Sequence, residues 1–322
     1  MGIQPATTEN IHRAAEKLRA GELVIFPTET VYGVGADARN PVAIAKIYKA
    51  KGRPQDHPVI VHLAKEADLS QWAAQWPPQA QKLVDAFWPG PLTLIVKRHP
   101  QIPATVSGGQ DTIGLRCPSH PVAQALLRAF GGGVAAPSAN RFGRISPTTA
   151  AHAESELGQA VECILNGGAS AIGIESTIVD LSRGHPVLLR PGQISLAHLQ
   201  EILREPVLPA DAQAPRASGM LDSHYAPKTP MYLLSAADIT QKLQALSAKQ
   251  IPLAIYSHSL PAQESLGLTW KTAPINVVAY AHDLYADLRL LDQQGCKQIW
   301  VESVPQAVEW QGVADRLRRA SK

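Results

Sequence analysis

Short continuous apolar runs alternate with segments of helical period along the first two thirds of the chain. The apolar runs, which are typical of buried strands, span residues 23–26, 59–63, 92–96, 112–115, 134–136, 162–165, 176–180 and 187–189. Helical period and capping residues predict helices at residues 8–20, 41–50, 78–87, 119–130, 148–157 and 196–203. Residues 27–37 are expected to form a long loop. Strands that alternate with helices predict an α/β fold built on a mixed sheet.

Residues 204–230 interrupt this pattern with five prolines and little apolar periodicity, which is the composition of a linker. Beyond the linker, strands are predicted at 231–234, 252–256 and 298–301, and helices at 236–248, 280–294 and 312–321. We therefore predict a catalytic domain at 1–203, a linker at 204–230 and a small second α/β domain at 231–322.

The charge of the chain is nearly balanced in both parts. The formal net charge is +3, with 21 basic and 19 acidic residues up to residue 228 and 9 basic and 8 acidic residues after it. A protein that depends on phosphate-backbone contacts usually shows a clustered basic face. Autonomous binding of nucleic acid is therefore not expected.

The cysteines Cys117, Cys163 and Cys296 are far apart and form no CxxC or Cys/His metal spacing, which favours a reducing compartment. The first residues are polar, and no apolar run approaches the roughly 20 residues of a membrane span. A cytoplasmic location is predicted.

Several common nucleotide and hydrolase motifs are missing from the sequence. No GxxxxGK[ST], HExxH or GxSxG occurs, and Ala38 stands where a dinucleotide fingerprint needs its third glycine. Histidines and carboxylates are too scattered to predict a dedicated metal site. We expect any metal to arrive together with phosphate.

Two segments about ninety residues apart suit a polyphosphate. The segment KAKGRP contains Lys51 and Arg53 next to a glycine and a proline that end a helix. The segment PSAN contributes Ser138 and Asn140 on a turn of small residues. Exposed cations and free backbone donors bind phosphate oxygens, and we expect the Arg53 guanidinium to point out of the fold. The structural alternative is that the cations only complement the helix dipole.

Polar residues also stand where predicted strands end. Thr30 lies in the loop after the strand at 23–26, His62 ends the strand at 59–63, and Arg116 follows the strand at 112–115. Loops at strand ends bind ligands in α/β sheets. Each residue has a structural alternative: a capped turn for Thr30, a satisfied core histidine for His62 and an ion pair with a structural carboxylate for Arg116.

The same pattern recurs further along, with Ser146 before Pro147, Ser176 before an apolar strand, and Arg190 before Pro-Gly. Helix capping is the structural alternative for Ser146. No strong nucleophile and no base–nucleophile pair can be identified from spacing. Cations and hydroxyls without catalytic acids suit a reaction whose nucleophile belongs to the substrate.

Eight motifs occur in a familiar order: PTETVYGVGAD, KAKGRPQDHPVIVH, FWPGPLTLIV, TIGLRCP, APSANRFGRISP, GIESTIVD, LLRPGQI and SGMLDSHYAP. Together they closely resemble the YrdC-type L-threonylcarbamoyladenylate synthases in their long, two-domain form. The resemblance implies an open twisted mixed sheet with a concave, positively charged face, and a small Rossmann-like second domain. It also implies a nucleotidyltransferase that converts L-threonine, bicarbonate and ATP to threonylcarbamoyl-AMP and pyrophosphate.

The resemblance further implies roles for individual residues. The predicted contacts to threonine or its carbamate are Thr30, His62, Arg116 and Ser176. The predicted ATP-binding residues are Lys51, Arg53, His57, Thr112, Ser138, Asn140, Ser146, Arg190 and Tyr225. Tyr225 would reach back from the linker as part of a lid that excludes water. Mg²⁺ would be carried by the ATP phosphates, with no protein ligand and no organic cofactor.

Two positions depart from the family pattern. His57 stands where relatives often carry asparagine, so the charge of this ATP contact would vary with pH. Ala136 stands where some relatives carry a threonine that touches the amino acid.

The implied partners are proteins that pass the threonylcarbamoyl group to an adenosine next to the tRNA anticodon. Two other readings remain open: an RNA-binding module without turnover of its own, and an enzyme that makes carbamoyl-AMP from carbamoyl phosphate. A nucleotide sensor without turnover is a further class.

Overall fold

The computed structural model describes residues 2–221, 223–246 and 252–321. They form two compact units, one of Met1–Phe142 and Ser146–Met220, the other of Gly143–Ile145 and Leu221–Lys322. The chain therefore divides within the predicted linker at 204–230, while the domain boundaries at 203 and 231 stay predictions. In the described parts of the chain, no helix is both long and apolar enough to cross a membrane.

The first unit is built on an eleven-stranded sheet in the part of the chain that the structure describes. Its strands are β1 (Ile3–Pro5), β2 (Val24–Phe26), β3 (Gly33–Asp37), β4 (Ile60–His62), β5 (Leu92–Lys97), β6 (Thr112–Arg116), β7 (Val134–Ala135), β8 (Cys163–Asn166), β9 (Thr177–Asp180), β10 (Val187–Arg190) and β11 (Leu208–Pro209). Their order in the sheet is β1-β8-β2-β3-β7-β4-β6-β5-β9-β10-β11. Parallel pairs such as β4–β6 occur beside antiparallel pairs such as β5–β6, so the predicted open mixed sheet is confirmed.

Six helices of the first unit are described, each within a few residues of its predicted position. They are α1 (Thr8–Arg19), α2 (Pro41–Lys51), α3 (Pro78–Phe87), α4 (Pro121–Phe130), α5 (Ala150–Leu157) and α6 (Leu196–Leu203). Capping chemistry explains the boundaries of α2: Asn40 accepts from the Val42 and Ala43 amides, and Gly52 adopts a φ of 63° after the last turn.

The prediction of a loop over residues 27–37 is wrong in its second half, where β3 pairs antiparallel with β2 and β7. The reason is steric. A Cβ at Gly35 would lie 2.8 Å from the Phe26 ring and 2.6 Å from a Val134 methyl, so only glycine fits this strand position. Glycine is a weak strand former, so the residue that the packing of β3 requires also lowers the strand propensity of this segment. The sequence pattern therefore did not predict the strand.

Alternation along the strands defines one face of the sheet. Ile60 packs with Ile95, Ile178, Val187 and Leu189, whereas Val61 belongs to a separate apolar cluster. A segment of the predicted linker covers part of this face, since Ala214, Ala217 and Met220 pack against it. The first part of the linker is thus integrated into the first unit, and β11 pairs parallel with β10.

The second unit is a small parallel α/β layer, as predicted. Its described elements are β12 (Met231–Leu234), α7 (Ala236–Leu246), β13 (Leu253–Ser257), β14 (Leu268–Thr272), α8 (Val277–Asp292), β15 (Gln298–Glu302) and α9 (Gln311–Ala320). The sheet order is β12-β15-β13-β14, with all pairs parallel. The strand β14 was not predicted, and residues 247–248 of the helix predicted at 236–248 lie outside the described residues.

Candidate active site

Four predicted or neighbouring polar residues share one face in the middle of the first sheet. His62 of β4 lies opposite Arg116 of β6 in the parallel register, and Arg116 lies opposite Thr93 of β5. Thr93 in turn hydrogen-bonds to Ser176, with 2.8 Å between the two hydroxyl oxygens. Because residues two apart point to the same face of a strand, Thr112 lies on this face too. The sheet therefore brings together residues that are far apart in sequence.

His62 and Arg116 are buried and keep unused hydrogen-bonding capacity. Their exposed fractions are 3% and 4%, and neither His62 Nδ1 nor Arg116 Nε has a hydrogen-bond partner among the described residues. Burial and the neighbouring Arg116 lower the pKa of His62 to about 3, so the ring is neutral at physiological pH. Buried polar atoms without partners are costly unless a ligand satisfies them, so this pair indicates a binding site.

Arg116 also forms the ion pair that was considered as its structural alternative. Its Nη2 donates to Glu29 Oε1 at 2.7 Å, and the other Glu29 oxygen accepts from the Ser119 amide at 3.1 Å. Both charged side chains are almost completely buried. Glu29 therefore fixes one edge of the guanidinium, while the Nε edge remains available.

Thr30 is fully buried and lies beside Thr28, whose hydroxyl oxygen is 2.9 Å from that of Thr30. The Thr28 hydroxyl also donates to the Val31 carbonyl, and its oxygen accepts from the Val31 amide. This is the capped turn considered for the threonine-rich loop, formed by Thr28. The Thr30 backbone carbonyl accepts from the Gly173 amide, which ties the loop to the segment preceding β9.

Arg190 connects the two predicted sets of site residues. It was predicted on the ATP side, yet its Nη2 donates to the Ser176 hydroxyl at 3.1 Å and its Nε to the Ser176 carbonyl at 3.0 Å. A third donation runs from Nη1 to the Ser218 carbonyl at 2.9 Å. Arg190 is 3% exposed. Residues assigned to two different substrates are thus in direct contact.

Arg53 does not point out of the fold, which corrects the expectation from sequence. Its exposed fraction is 7%, and Nη2 donates to the Pro58 carbonyl at 2.8 Å and to the Ser218 hydroxyl at 3.2 Å. The guanidinium carbon lies 5.6 Å from the centre of the Phe142 ring. The His57 ring meets Phe142 edge to face at 5.4 Å, and burial and Arg53 lower the pKa of His57.

Lys51 is likewise buried, because two carbonyls of the PSAN segment accept its protons. Its Nζ lies 2.5 Å from the carbonyl oxygens of both Ser138 and Asn140. Burial and nearby Arg53 lower the pKa of Lys51 well below its usual value. Lys51 therefore fixes the backbone of the PSAN turn, and the Asn140 amide group donates to the Arg141 carbonyl at 2.7 Å.

Three further positions are also buried. Ser146 makes a short hydrogen bond to Glu175, and Thr112 begins β6 with 5% of its surface exposed. Ala136 packs beside Phe26 and Val134 in an apolar cluster. The missing threonine hydroxyl at this position is thus replaced by apolar packing.

Tyr225 belongs to the second unit. It has a φ of 64°, stacks on Tyr285 at 5.9 Å, and lies under the Arg316 guanidinium at 5.4 Å. Its predicted role over the nucleotide stays a prediction.

Sequence reasoning missed several residues that hold the predicted ones in place: Glu29, Thr93, Phe142, Glu175 and Ser218. All except Ser218 and Thr93 adjoin a predicted residue or a predicted turn, so proximity in the motif is the available signal. Ser218 and Thr93 also lie within the quoted motifs SGMLDSHYAP and FWPGPLTLIV, but their contacts with predicted residues become apparent only when the chain is folded. Within the described ranges, no group of three or more histidines, cysteines and carboxylates is placed to hold a metal ion.

Two known family models match this chain and establish which family it belongs to. A family model named for Sua5, YciO and YrdC and described as telomere recombination matches residues 16–192, and a model described as the C-terminal domain of threonylcarbamoyl-AMP synthase matches residues 194–322. The chain belongs to the Sua5/YciO/YrdC family. The resemblance inferred from eight motifs is confirmed.

Members of the Sua5/YciO/YrdC family resemble this chain along its length. Threonylcarbamoyl-AMP synthase of Pyrococcus abyssi is 37% identical over 97% of this chain and 94% of its own length. The enzyme of the same name from Bacillus subtilis is 36% identical over 97% of this chain and 92% of its own. The crystal structure of Pyrococcus abyssi Sua5 complexed with L-threonine superimposes with a TM-score of 0.92 at 34% identity, covering 100% of this chain and 98% of that one.

Proposed function

We propose that this protein makes L-threonylcarbamoyl-AMP and pyrophosphate from L-threonine, bicarbonate and ATP, for threonylcarbamoyladenosine modification of tRNA. The observation that carries the proposal is the contact between Arg190 and Ser176, which were assigned to different substrates. Joining an amino-acid carbamate to an adenylyl group requires both substrates to be held side by side. The direct contact between Arg190 and Ser176 supports such an arrangement.

The threonine side of the site is assigned to Thr30, His62, Arg116 and Ser176. The available Nε–H of Arg116 can donate to the substrate carboxylate or carbamate, which would make a charge-assisted hydrogen bond. The neutral ring of His62 can accept from a hydroxyl or amine of the substrate. The ion pair to Glu29 supports this role, because it orients Arg116 without using its Nε edge.

The nucleotide side is assigned to Lys51, Arg53, His57, Thr112, Ser138, Asn140, Ser146 and Arg190. Within this set, Lys51 acts by fixing the PSAN turn rather than by touching phosphate, since both recorded donations go to carbonyls of that turn. Arg53 and Arg190 carry permanent charge and are aligned by Ser218. Both can offset negative charge that develops on a triphosphate.

The chemistry needs no covalent bond to the protein. The threonine amine adds to the carbon of bicarbonate or carbon dioxide, and bicarbonate loses water in the process. An oxygen of the resulting carbamate attacks the α-phosphorus of ATP, a new C–O–P linkage forms, and the bond to the bridging oxygen breaks as pyrophosphate leaves. The side chains orient the reactants, exclude water and stabilise charge. Magnesium enters as part of the substrate MgATP.

The wider setting follows from the product. A mixed carbamic–phosphoric anhydride is an activated acyl donor, so proteins that transfer the threonylcarbamoyl group to tRNA would act downstream. We assign Tyr225 to the lid over the nucleotide, and stable direct tRNA binding is not part of the proposal.

The proposal is tested by following pyrophosphate release while each of the three substrates is omitted in turn. Release is expected only when threonine, bicarbonate and ATP are all present. Replacing threonine and bicarbonate with carbamoyl phosphate should give no release. Equal release with carbamoyl phosphate would establish the carbamoyl-AMP alternative, and binding of tRNA without any release would favour the RNA-binding one.

A further inference from the structure

The segment Gly143–Ile145 belongs to the second unit, although its neighbours on both sides in the chain belong to the first. Phe142 precedes it and packs against Arg53 and His57. Ser146 follows it and hydrogen-bonds to Glu175. The segment is therefore covalently joined at one end to Ser146 of the proposed ATP side, and at the other to Phe142, which packs against two residues of that side.

Backbone pairing holds this segment within the second unit. Arg144 and Ala226 form a parallel bridge, and the Ala226 amide donates to the Gly143 carbonyl at 2.9 Å. The Arg144 Nη1 donates to the Pro227 carbonyl at 3.2 Å. These hydrogen bonds to residues 226–227 fix the backbone of the segment Gly143–Ile145.

The end of α8 completes the attachment. Arg289, which is 9% exposed, donates to the Ile145 carbonyl. Asp292, one turn further on, accepts from the amides of Lys228 at 2.9 Å and Thr229 at 2.7 Å. The last turn of α8 therefore binds both paired stretches of chain. Arg289 holds the segment Gly143–Ile145, and Asp292 holds residues 226–229.

The Ile145 carbonyl and the Ser146 amide are the two ends of the same planar peptide group. Fixing the carbonyl oxygen therefore fixes the plane from which Ser146 begins. Ile145 and Ser146 are 3% and 0% exposed, so surrounding groups restrict both of them. A displacement of about 1 Å in such a group can cost on the order of a hundredfold in rate.

We propose that Arg289 is a positioning residue for the ATP side of the site. It holds the peptide group before Ser146 and so restricts the backbone that presents the Ser146 side chain. This inference rests on the proposed function, because it assigns Arg289 to the ATP half of that reaction.

The test compares Arg289→Met and Arg289→Lys with Lys271→Met in the full-length chain. Lys271 is the matched control, since its Nζ pairs with Asp287 of α8 at 3.0 Å, two residues before Arg289. Pyrophosphate release is measured with ATP and threonine varied separately, and hydrogen–deuterium exchange is followed in the peptide spanning 141–147.

We expect Arg289→Met to raise the KM for ATP about tenfold, the effect of losing one charge-assisted hydrogen bond, while the KM for threonine changes less than about twofold. Arg289→Lys keeps a cationic donor and should restore part of the loss. The amide of Ser146 should exchange faster in Arg289→Met than in Lys271→Met. If the methionine variant does not fold, the lysine variant carries the same comparison.

An unchanged KM for ATP with unchanged exchange at 141–147 would overturn the inference and leave the proposed function intact. Equal rises in both KM values, or the same rise in Lys271→Met, would also overturn it, because they would show a general loss of stability. If the wild-type protein makes no pyrophosphate, the proposed function fails. The positioning of Ser146 by Arg289 is then supported by faster exchange of the Ser146 amide in Arg289→Met than in Lys271→Met, and refuted by equal exchange.

Discussion

Two polar clusters at strand ends, one in each unit, differ in how the protein surrounds their charged groups with hydrogen-bond partners. In the second unit, the Glu302 carboxylate accepts from the Ser257 hydroxyl at 2.6 Å, from the His258 and Ser259 amides at 2.9 Å each, and from the Ser259 hydroxyl. In the first unit, His62 Nδ1 and Arg116 Nε have no partner among the described residues. Both clusters lie where strands end in an α/β sheet, the usual place for ligands.

The comparison shows that position in the fold does not distinguish a binding site from a structural network. The Glu302 carboxylate accepts from the amides and hydroxyls of residues 257–259, which an anion would otherwise bind. These hydrogen bonds stabilise the loop after β13. In the described part of the chain, His258 Nδ1 of the Glu302 cluster makes no hydrogen bond but lies 3.3 Å from Glu302 Oε2, whereas the unsatisfied His62 Nδ1 and Arg116 Nε of the first cluster can bind a ligand. Substitutions at Arg53, Arg116, Glu302 and His62 test this difference.

Arg53→Ala should have the largest effect. Removing a guanidinium from the proposed triphosphate contact is expected to lower kcat/KM for pyrophosphate release by about a hundredfold or more, because charge-assisted bonds contribute roughly 1.5–3 kcal/mol each. Circular dichroism should show a folded protein. Arg39→Ala is the control, since Arg39 also lies over an aromatic ring, that of Trp72, at 5.2 Å. Near-normal turnover of Arg53→Ala would remove Arg53 from the site.

Arg116→Ala should cost about 3–5 kcal/mol of unfolding free energy, because it leaves the buried Glu29 carboxylate unpaired. Adding Glu29→Gln should recover much of that stability without recovering threonine binding. Denaturant titrations and isothermal calorimetry with threonine measure the two quantities. A double variant that binds threonine normally would make Arg116 purely structural.

Glu302→Ala should destabilise the second unit by about 2–4 kcal/mol, because two amides and two hydroxyls lose their acceptor. Thermal unfolding measures the loss. In the folded protein, the KM values for ATP and threonine are expected to stay within about twofold of wild type. A selective loss of ATP affinity would show that the Glu302 cluster takes part in substrate binding.

The pH dependence of stability should report the burial of His62. Its folded pKa of about 3 lies below the unfolded value of about 6.5, so the unfolded chain binds the proton more readily as pH falls. Stability is therefore full above about pH 6.5 and decreases below it, by up to about 2 kcal/mol at pH 5.

His62→Gln should reduce this pH dependence in denaturant titrations at pH 7 and pH 5. It should not abolish the dependence, because burial also lowers the pKa values of His57 and His120. An unchanged slope in the variant would mean that the pKa of His62 is the same in the folded and unfolded states, so that burial does not keep its ring neutral at pH 5.

Much of the fold follows from local signals in the sequence. Asn40 and Pro41 determine where α2 begins, Gly52 determines where it ends, and apolar runs locate most strands. The strand β3 was not predicted because the contacts that require Gly35 come from Phe26 on the paired strand and from Val134, which is far away in sequence. Pairing partners in the sheet, rather than local propensity, decide such strands.

The sequence predicts candidate site residues but not the hydrogen bonds that hold them. The motifs single out Lys51, Arg53 and Arg190 as candidate cations, but their burial depends on carbonyls and on Ser218, which sequence spacing cannot assign. The expectation that cations must stay exposed failed for this reason. A guanidinium or ammonium group can be buried when polar groups of the fold accept its protons.

The central claim is that one sheet face holds threonine and ATP side by side. Mass spectrometry of the product formed from ATP, threonine and ¹³C-labelled bicarbonate tests it most directly. The account predicts a threonylcarbamoyl-AMP that carries one ¹³C atom, together with an equal amount of pyrophosphate. An unlabelled adenylate, or pyrophosphate formed without any threonine-containing product, would contradict it.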